Sequence, residues 1–124
     1  MTSSGEYQDA VDVLNVLVEL DPMDPEIRAK LAQALRQTGD RQSADKHLEE
    51  MTRLRSLRTS FTELHHKTLA DEKNADLRVE LGHAAMELRR PQLAESWFRA
   101  ALMIDPQHAG ALRGIADVRQ PERR

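Results

Sequence analysis

The chain has 124 residues, 40% of them hydrophobic and 31% charged, which is enough for one small domain with a core of its own. Aromatic residues make up 3% and cysteine is absent. Disulfides, thiolate metal sites and thiol nucleophiles are therefore excluded, and a core must be built from Leu, Ala, Val and Met, which suits helices better than sheets. The net charge of −3 is unevenly spread: Met1 to Glu26 holds seven acids and no Lys or Arg, whereas Arg89 to Arg124 holds seven Arg against four acids.

No window approaches the roughly 18 apolar residues of a membrane span. The start, MTSSGEYQDA, lacks the basic region of a signal peptide. Together with the absence of cysteine, this points to a cytoplasmic protein with no membrane partner.

Residues 1–4 read as a disordered lead-in. Gly5 to Leu20 is the first helical pattern, with Tyr7, Ala10, Val11, Leu14, Leu17, Val18 and Leu20 at helical spacing. Val13 and Val16 widen the stripe, so this helix is apolar on more than one face and calls for burial on both sides. Asp21-Pro22 ends it.

Asp24 is placed as a cap and Pro25 as the first residue of a second helix, which runs to about Gln37 with Ile27, Leu31, Ala34 and Leu35 inward. Gly39 stops it and Asp40 caps the next. From Arg41 to Ala70 there is no Gly or Pro. Leu54, Leu57, Phe61 and Leu64 continue the stripe, which predicts one long helix. The competing reading breaks it at Ser60-Phe61-Thr62-Glu63, a capping-box pattern.

A fourth helix is predicted over Ala75 to about Arg89, with Leu77, Leu81, Ala85 and Leu88 inward. A fifth starts at Pro91 and carries Leu93, Ala94, Trp97, Phe98, Ala101, Leu102 and Ile104. Asp105-Pro106 stops it, His108 to Arg119 is a short last helix, and residues 121–124 are a tail. The expected organisation is one all-α domain over residues 5–120.

The stretch Ala75 to His108 carries Leu81-Gly82, Ala94, Phe98, Ala101 and Pro106 at spacings that resemble the tetratricopeptide (TPR) motif, whose period is about 34 residues. Pro25 to about Leu57 looks like a second copy, with Leu31, Ala32, Gly39-Asp40, Ala44 and Leu48 in the matching places. The segments SGEYQDA and TGDRQSA share their Gly-to-Ala spacing. Gly5 to Pro22 is similar to the second half of a repeat and His108 to Gln120 to the first half of another. Departures are clear: Arg28 and Arg78 stand where the family has Trp, and Leu35 and Ala85 where it has Tyr. Residues 57–74 lie outside the repeat register.

The resemblance implies stacked helical hairpins in which small residues (Ala32, Ala44, Gly82, Ala94) admit bulky ones (Leu31, Leu48, Leu81, Phe98). It also implies a non-enzymatic module that binds another protein. The peptide or helix of that partner would lie along the first helix of each hairpin, against Lys30, Gln33 and Gln37 and against Glu80, His83 and Glu87. The family's carboxylate clamp is not supported, because Glu80 and His83 stand where cationic or amide side chains would be needed.

A different expectation concerns the half-repeats. Val11, Leu14, Leu17 and Val18 at one end and Leu112 and Ile115 at the other are candidates for self-association, giving a homo-oligomer. An enzymatic alternative rests on Glu63-x-x-His66 and Glu80-x-x-His83, a pattern found in carboxylate-bridged di-metal bundles. Such a site needs two more inward Glu, so no metal or cofactor is expected, and His47, His65, His66 and His108 read as solvated. Ser43, Ser56, Ser60 and Ser96 lie in helical patterns without a glycine-flanked elbow. Arg53, Arg55, Arg58 and Arg89-Arg90 alternate with acids, so a nucleic-acid face is not expected either.

Overall fold

The computed structural model describes residues 4–120, and among them there are six helices and no strand. These are α1 (Ser4–Leu20), α2 (Pro25–Thr38), α3 (Arg41–Ala70), α4 (Ala75–Glu87), α5 (Pro91–Ile104) and α6 (Ala109–Val118). The lead-in at residues 1–3 and the tail at residues 121–124 lie outside the described residues, while Ser4 is already helical. The fold is the all-α, TPR-like arrangement of helical hairpins.

Two kinds of connection recur. After α1, α3 and α5 the chain makes the same four-residue turn, closed by Asp24 N–H donating to Asp21 O (3.3 Å), Asn74 N–H to Asp71 O (3.3 Å) and His108 N–H to Asp105 O (3.1 Å). The last residue of each turn then caps the following helix. The Asp24 carboxylate accepts from the N–H groups of Glu26 and Ile27, the Asn74 side-chain oxygen from Leu77 N–H, and His108 Nδ1 from Ala111 N–H. Three residue types thus do one job.

After α2 and α4 the chain reverses through a residue in the left-handed region, Gly39 (φ 94°) and Arg89 (φ 58°). Around each, two backbone bonds close the helix end. Gly39 N–H donates to Arg36 O and Asp40 N–H to Leu35 O. Arg89 N–H donates to Met86 O and Arg90 N–H to Ala85 O.

The helix α3 is continuous over 30 residues. The Ser60 capping box is not used. Ser60 lies inside the helix, and Thr62 turns its hydroxyl back to Arg58 O (3.1 Å), as a mid-helix threonine does.

The chain falls into two compact units that divide within α3, residues 1–56 and residues 57–124. In the first, Val11 of α1, Leu31, Ala32, Ala34 and Leu35 of α2 and Ala44 of α3 form the buried core, with Ala10, Leu14, Val18 and Leu48 packed at its edge. In the second, Val79 and Ala85 of α4, Ala94, Phe98 and Ala101 of α5 and Ala111 of α6 are buried together. Phe61 from the end of α3 joins this core.

Phe98 occupies a space left by two glycines. A Cβ on Gly82 of α4 would lie 2.4 Å from its ring, and a Cβ on Gly114 of α6 would lie 2.5 Å from it. The small-against-large packing read from the sequence is therefore physical, and it engages both neighbours of α5.

Residues 57–70 take up, in the second unit, the place that α1 holds in the first. Each segment leads into the same turn, and the helices that follow, α2 and α4, start fifty residues apart. Phe61 packs into its core at the position where Val11 packs into the other. These residues fall outside a 34-residue register because α3 has no turn between its two halves, not because they lack a repeat role.

Candidate functional site

The six residues nominated from the first helices of the hairpins are all exposed. Lys30, Gln33 and Gln37 lie along one face of α2, and Glu80, His83 and Glu87 lie at the matching positions of α4, fifty residues on. Their chemistry differs between the units: one cation with two amides on α2, two carboxylates with an imidazole on α4. His83 alone among them is braced on the core, its ring edge-on to Phe98 at 5.2 Å and 71°.

The arginines at the departures from the repeat pattern hold the turns. Arg28 donates from Nε (3.1 Å) and Nη2 (3.0 Å) to Pro22 O, and its Nη1 lies 3.2 Å from His47 Nδ1. Arg78 donates from Nη1 to Asn74 O (2.9 Å) and Asp71 O (3.3 Å). Each guanidinium ties the start of a helix back to the preceding turn, Arg28 through two nitrogens on one carbonyl and Arg78 through one nitrogen on two. Nothing in periodicity signals this. The one clue is the recurrence of Arg at the same place in both copies.

Two histidines depart from the solvated reading. His47 is half-buried against Arg28, and burial, followed by the guanidinium charge, holds its ionisation below the ordinary histidine range. His108 is the cap of α6 rather than its first residue, and its Nε2 lies 2.6 Å from Asp76 Oδ1 in the first turn of α4. Because Nδ1 accepts from Ala111 N–H, Nε2 carries the proton and donates to Asp76. His65 and His66 are exposed, with the His65 ring edge-on to Trp97 at 5.4 Å. At the start of α3, Ser43 N–H donates to the Asp40 carboxylate (3.1 Å), which keeps that acid below its usual range.

A cavity of about 430 Å³ opens where the α3–α4 and α5–α6 turns meet, bordered by Asp71, Asp76, Asp105 and His108. Asn74, Asp76 and His108 on its border are engaged in the caps just described. Among the described residues no three His, Asp or Glu side chains gather as a metal-binding group, and this includes those of the two Glu-x-x-His sequences. No helix among them is long and apolar enough to cross a membrane.

The residues nominated for self-association divide. Val11 is buried in the core of the first unit, with Leu14 and Val18 packed at its edge. Ile115 packs similarly in the second unit. Leu17 and Leu112 are exposed, and Val13, Val16 and Leu20 are exposed beside Leu17. The outward stripe of α1 is thus Val13, Val16, Leu17 and Leu20. Leu17 and Leu20, which helical spacing places on the main stripe, turn outward with Val13 and Val16.

A comparison with curated proteins gives no match. Tetratricopeptide repeat models match residues 1–55 and residues 75–108, together more than half of the chain and including both copies of the hairpin pattern. With the matching turns, caps and small-to-large packing, they establish that the chain belongs to the tetratricopeptide repeat family, whose repeats generally mediate protein–protein interactions.

Proposed function

We propose that the protein is a non-enzymatic interaction module that binds a peptide or helix of a partner on the exposed first-helix face of a hairpin, that of α2 in the first unit and that of α4 in the second. Lys30, Gln33 and Gln37 supply hydrogen-bond donors and a cation, and Glu80, His83 and Glu87 supply acceptors and a half-supported ring. The observation that carries this reading is the exposure of all six side chains at the same positions of two equivalent helices. Side chains on rigid helices anchored by buried cores are held ready for a ligand at little entropic cost.

The test compares partners recovered by the intact protein and by a Lys30→Glu/Glu80→Lys form of equal helical content. Partners that bind the intact protein and are lost from the charge-reversed form support the groove. Recovery of the same partners by both forms overturns it.

A further inference from the structure

The outward stripe of α1 runs Val13, Val16, Leu17, Leu20, at i, i+3, i+4 and i+7, and these side chains are 60%, 54%, 38% and 77% exposed. The chain contains its own comparison for this stripe. Residues 57–70 of α3 hold the equivalent place in the second unit, and at the four matching positions they present Glu63, His66, Lys67 and Ala70, all exposed. The same place in the same fold is mostly polar there. On α1 it is wholly apolar.

What covers the stripe is indicated by the chain's own hairpins. In α4–α5 the small Gly82 sits against the large Phe98, and in α2–α3 the core that contains Ala32 packs against Leu48. The helix α6 starts thirty-four residues after α4, so Ile115 and Ala116 stand where α4 has Leu81 and Gly82. Ala116 is exposed, as is Leu112 one turn before it. Aligned on its Ala10, α1 has Leu14 and Leu17 where α5 has Phe98 and Ala101. Phe98 touches a helix on either side of it, Gly82 on α4 and Gly114 on α6. Leu14 packs against the core with α2 and remains half-exposed. The two halves of one packing code are thus both present and both open, on α1 and on α6. Charge does not oppose the pairing: the helix α1 carries Glu6, Asp9, Asp12 and Glu19 with no base, and α6 exposes one base, Arg113, and one acid, Asp117.

We propose that the outward face of α1 in one molecule docks on α6 of a second copy, forming between molecules the helix pair that α4 and α5 form within one. The contact is heterologous: each molecule offers one α1 face and one α6 face. It uses a surface other than the partner groove and does not depend on it.

The test is sedimentation velocity of the full chain from micromolar to millimolar concentration. The wild type is compared with Val13→Glu/Leu17→Glu on α1 and with Leu112→Glu/Ala116→Glu on α6. The wild type is expected to gain mass with concentration, and each variant alone to remain a monomer with unchanged helical circular dichroism. An equal mixture of the two variants is expected to form a pair and stop there, because only one intact α1 face and one intact α6 face remain. Should either double variant lose helical content, Leu20→Glu and Ala116→Glu as single changes take their places. A wild type that stays monomeric throughout overturns the proposal. So does an α6 variant that assembles like the wild type, or a variant mixture that stays monomeric.

Discussion

Gly82 and Phe98 are placed so that a single methyl group cannot come between them: a Cβ on Gly82 would lie 2.4 Å from Cε1 of the ring. Replacing a mid-helix glycine by alanine ordinarily stabilises by up to about 1 kcal/mol. Here the sign reverses, because Phe98 is fully buried and its ring is flanked by α4 and α6. Gly82→Ala and Gly114→Ala are each expected to cost about 1–3 kcal/mol through overpacking. Phe98→Ala is expected to cost about 3–5 kcal/mol. Urea unfolding curves of the three variants decide it, and a stabilised Gly82→Ala would disprove the close approach.

Gly39 and Arg89 occupy equivalent helix ends with φ of 94° and 58°, yet only one of them is glycine. A side chain in the left-handed region costs about 1–2 kcal/mol, partly offset by the lower chain entropy of a non-glycine residue when unfolded. Arg89→Gly is therefore expected to raise stability by up to about 1 kcal/mol, and Gly39→Ala to lower it by about the same amount. Opposite shifts of thermal midpoint in the two variants are the readout.

His47 faces the Arg28 guanidinium, and burial and that charge both disfavour its protonated form. Its folded-state ionisation lies below the ordinary value of 6.5, so as pH falls the unfolded chain takes up the proton first. The contribution of His47 is thus complete above that value and is lost as pH falls below it toward the folded-state value. The gap in denaturation midpoint between about pH 7.5 and about pH 5.5 should be smaller in His47→Gln than in the wild type.

Arg28 is expected to be irreplaceable by lysine at the Pro22 carbonyl. Its Nε and Nη2 both reach that one oxygen, which an ammonium cannot reproduce with the same planar fork. Arg28→Met and Arg28→Lys should each cost about 1–2 kcal/mol in chemical denaturation, with little rescue by the conserved charge.

The caps separate two roles of His108. Asp24→Ala should cost about 1 kcal/mol by removing the acceptor for Glu26 and Ile27 N–H. His108→Asn retains a cap for α6 but cannot keep the imidazole bridge to Asp76, and His108→Ala loses both. Amide hydrogen exchange at Ala111 should rise in His108→Ala and stay near wild type in His108→Asn.

Much of this architecture is written locally. Asp21-Pro22, Asp24-Pro25 and Gly39-Asp40 mark the ends of α1 and α2 and the start of α3 because proline lacks a donor, a carboxylate satisfies free N–H groups, and glycine tolerates positive φ. The pairing of Gly82 with Phe98 is legible from size alone. The six exposed residues of α2 and α4 follow from helical period once the inward stripes are known.

Other features were settled only by neighbours in space. Val11 faces inward and Leu17 and Leu20 outward because α2 packs on one side of α1, and an almost uniformly apolar helix does not state which side that is. Residues 57–70 act as a second α1 through the turn and helix that follow them, although no break in α3 announces it. His108 meets Asp76 and Arg28 meets His47 because folding brings together residues 32 and 19 positions apart. The amino-acid sequence alone determines where these helices begin, end and admit one another. Tertiary packing decides which faces are used up, since burial depends on the positions of other helices rather than on the pattern of one.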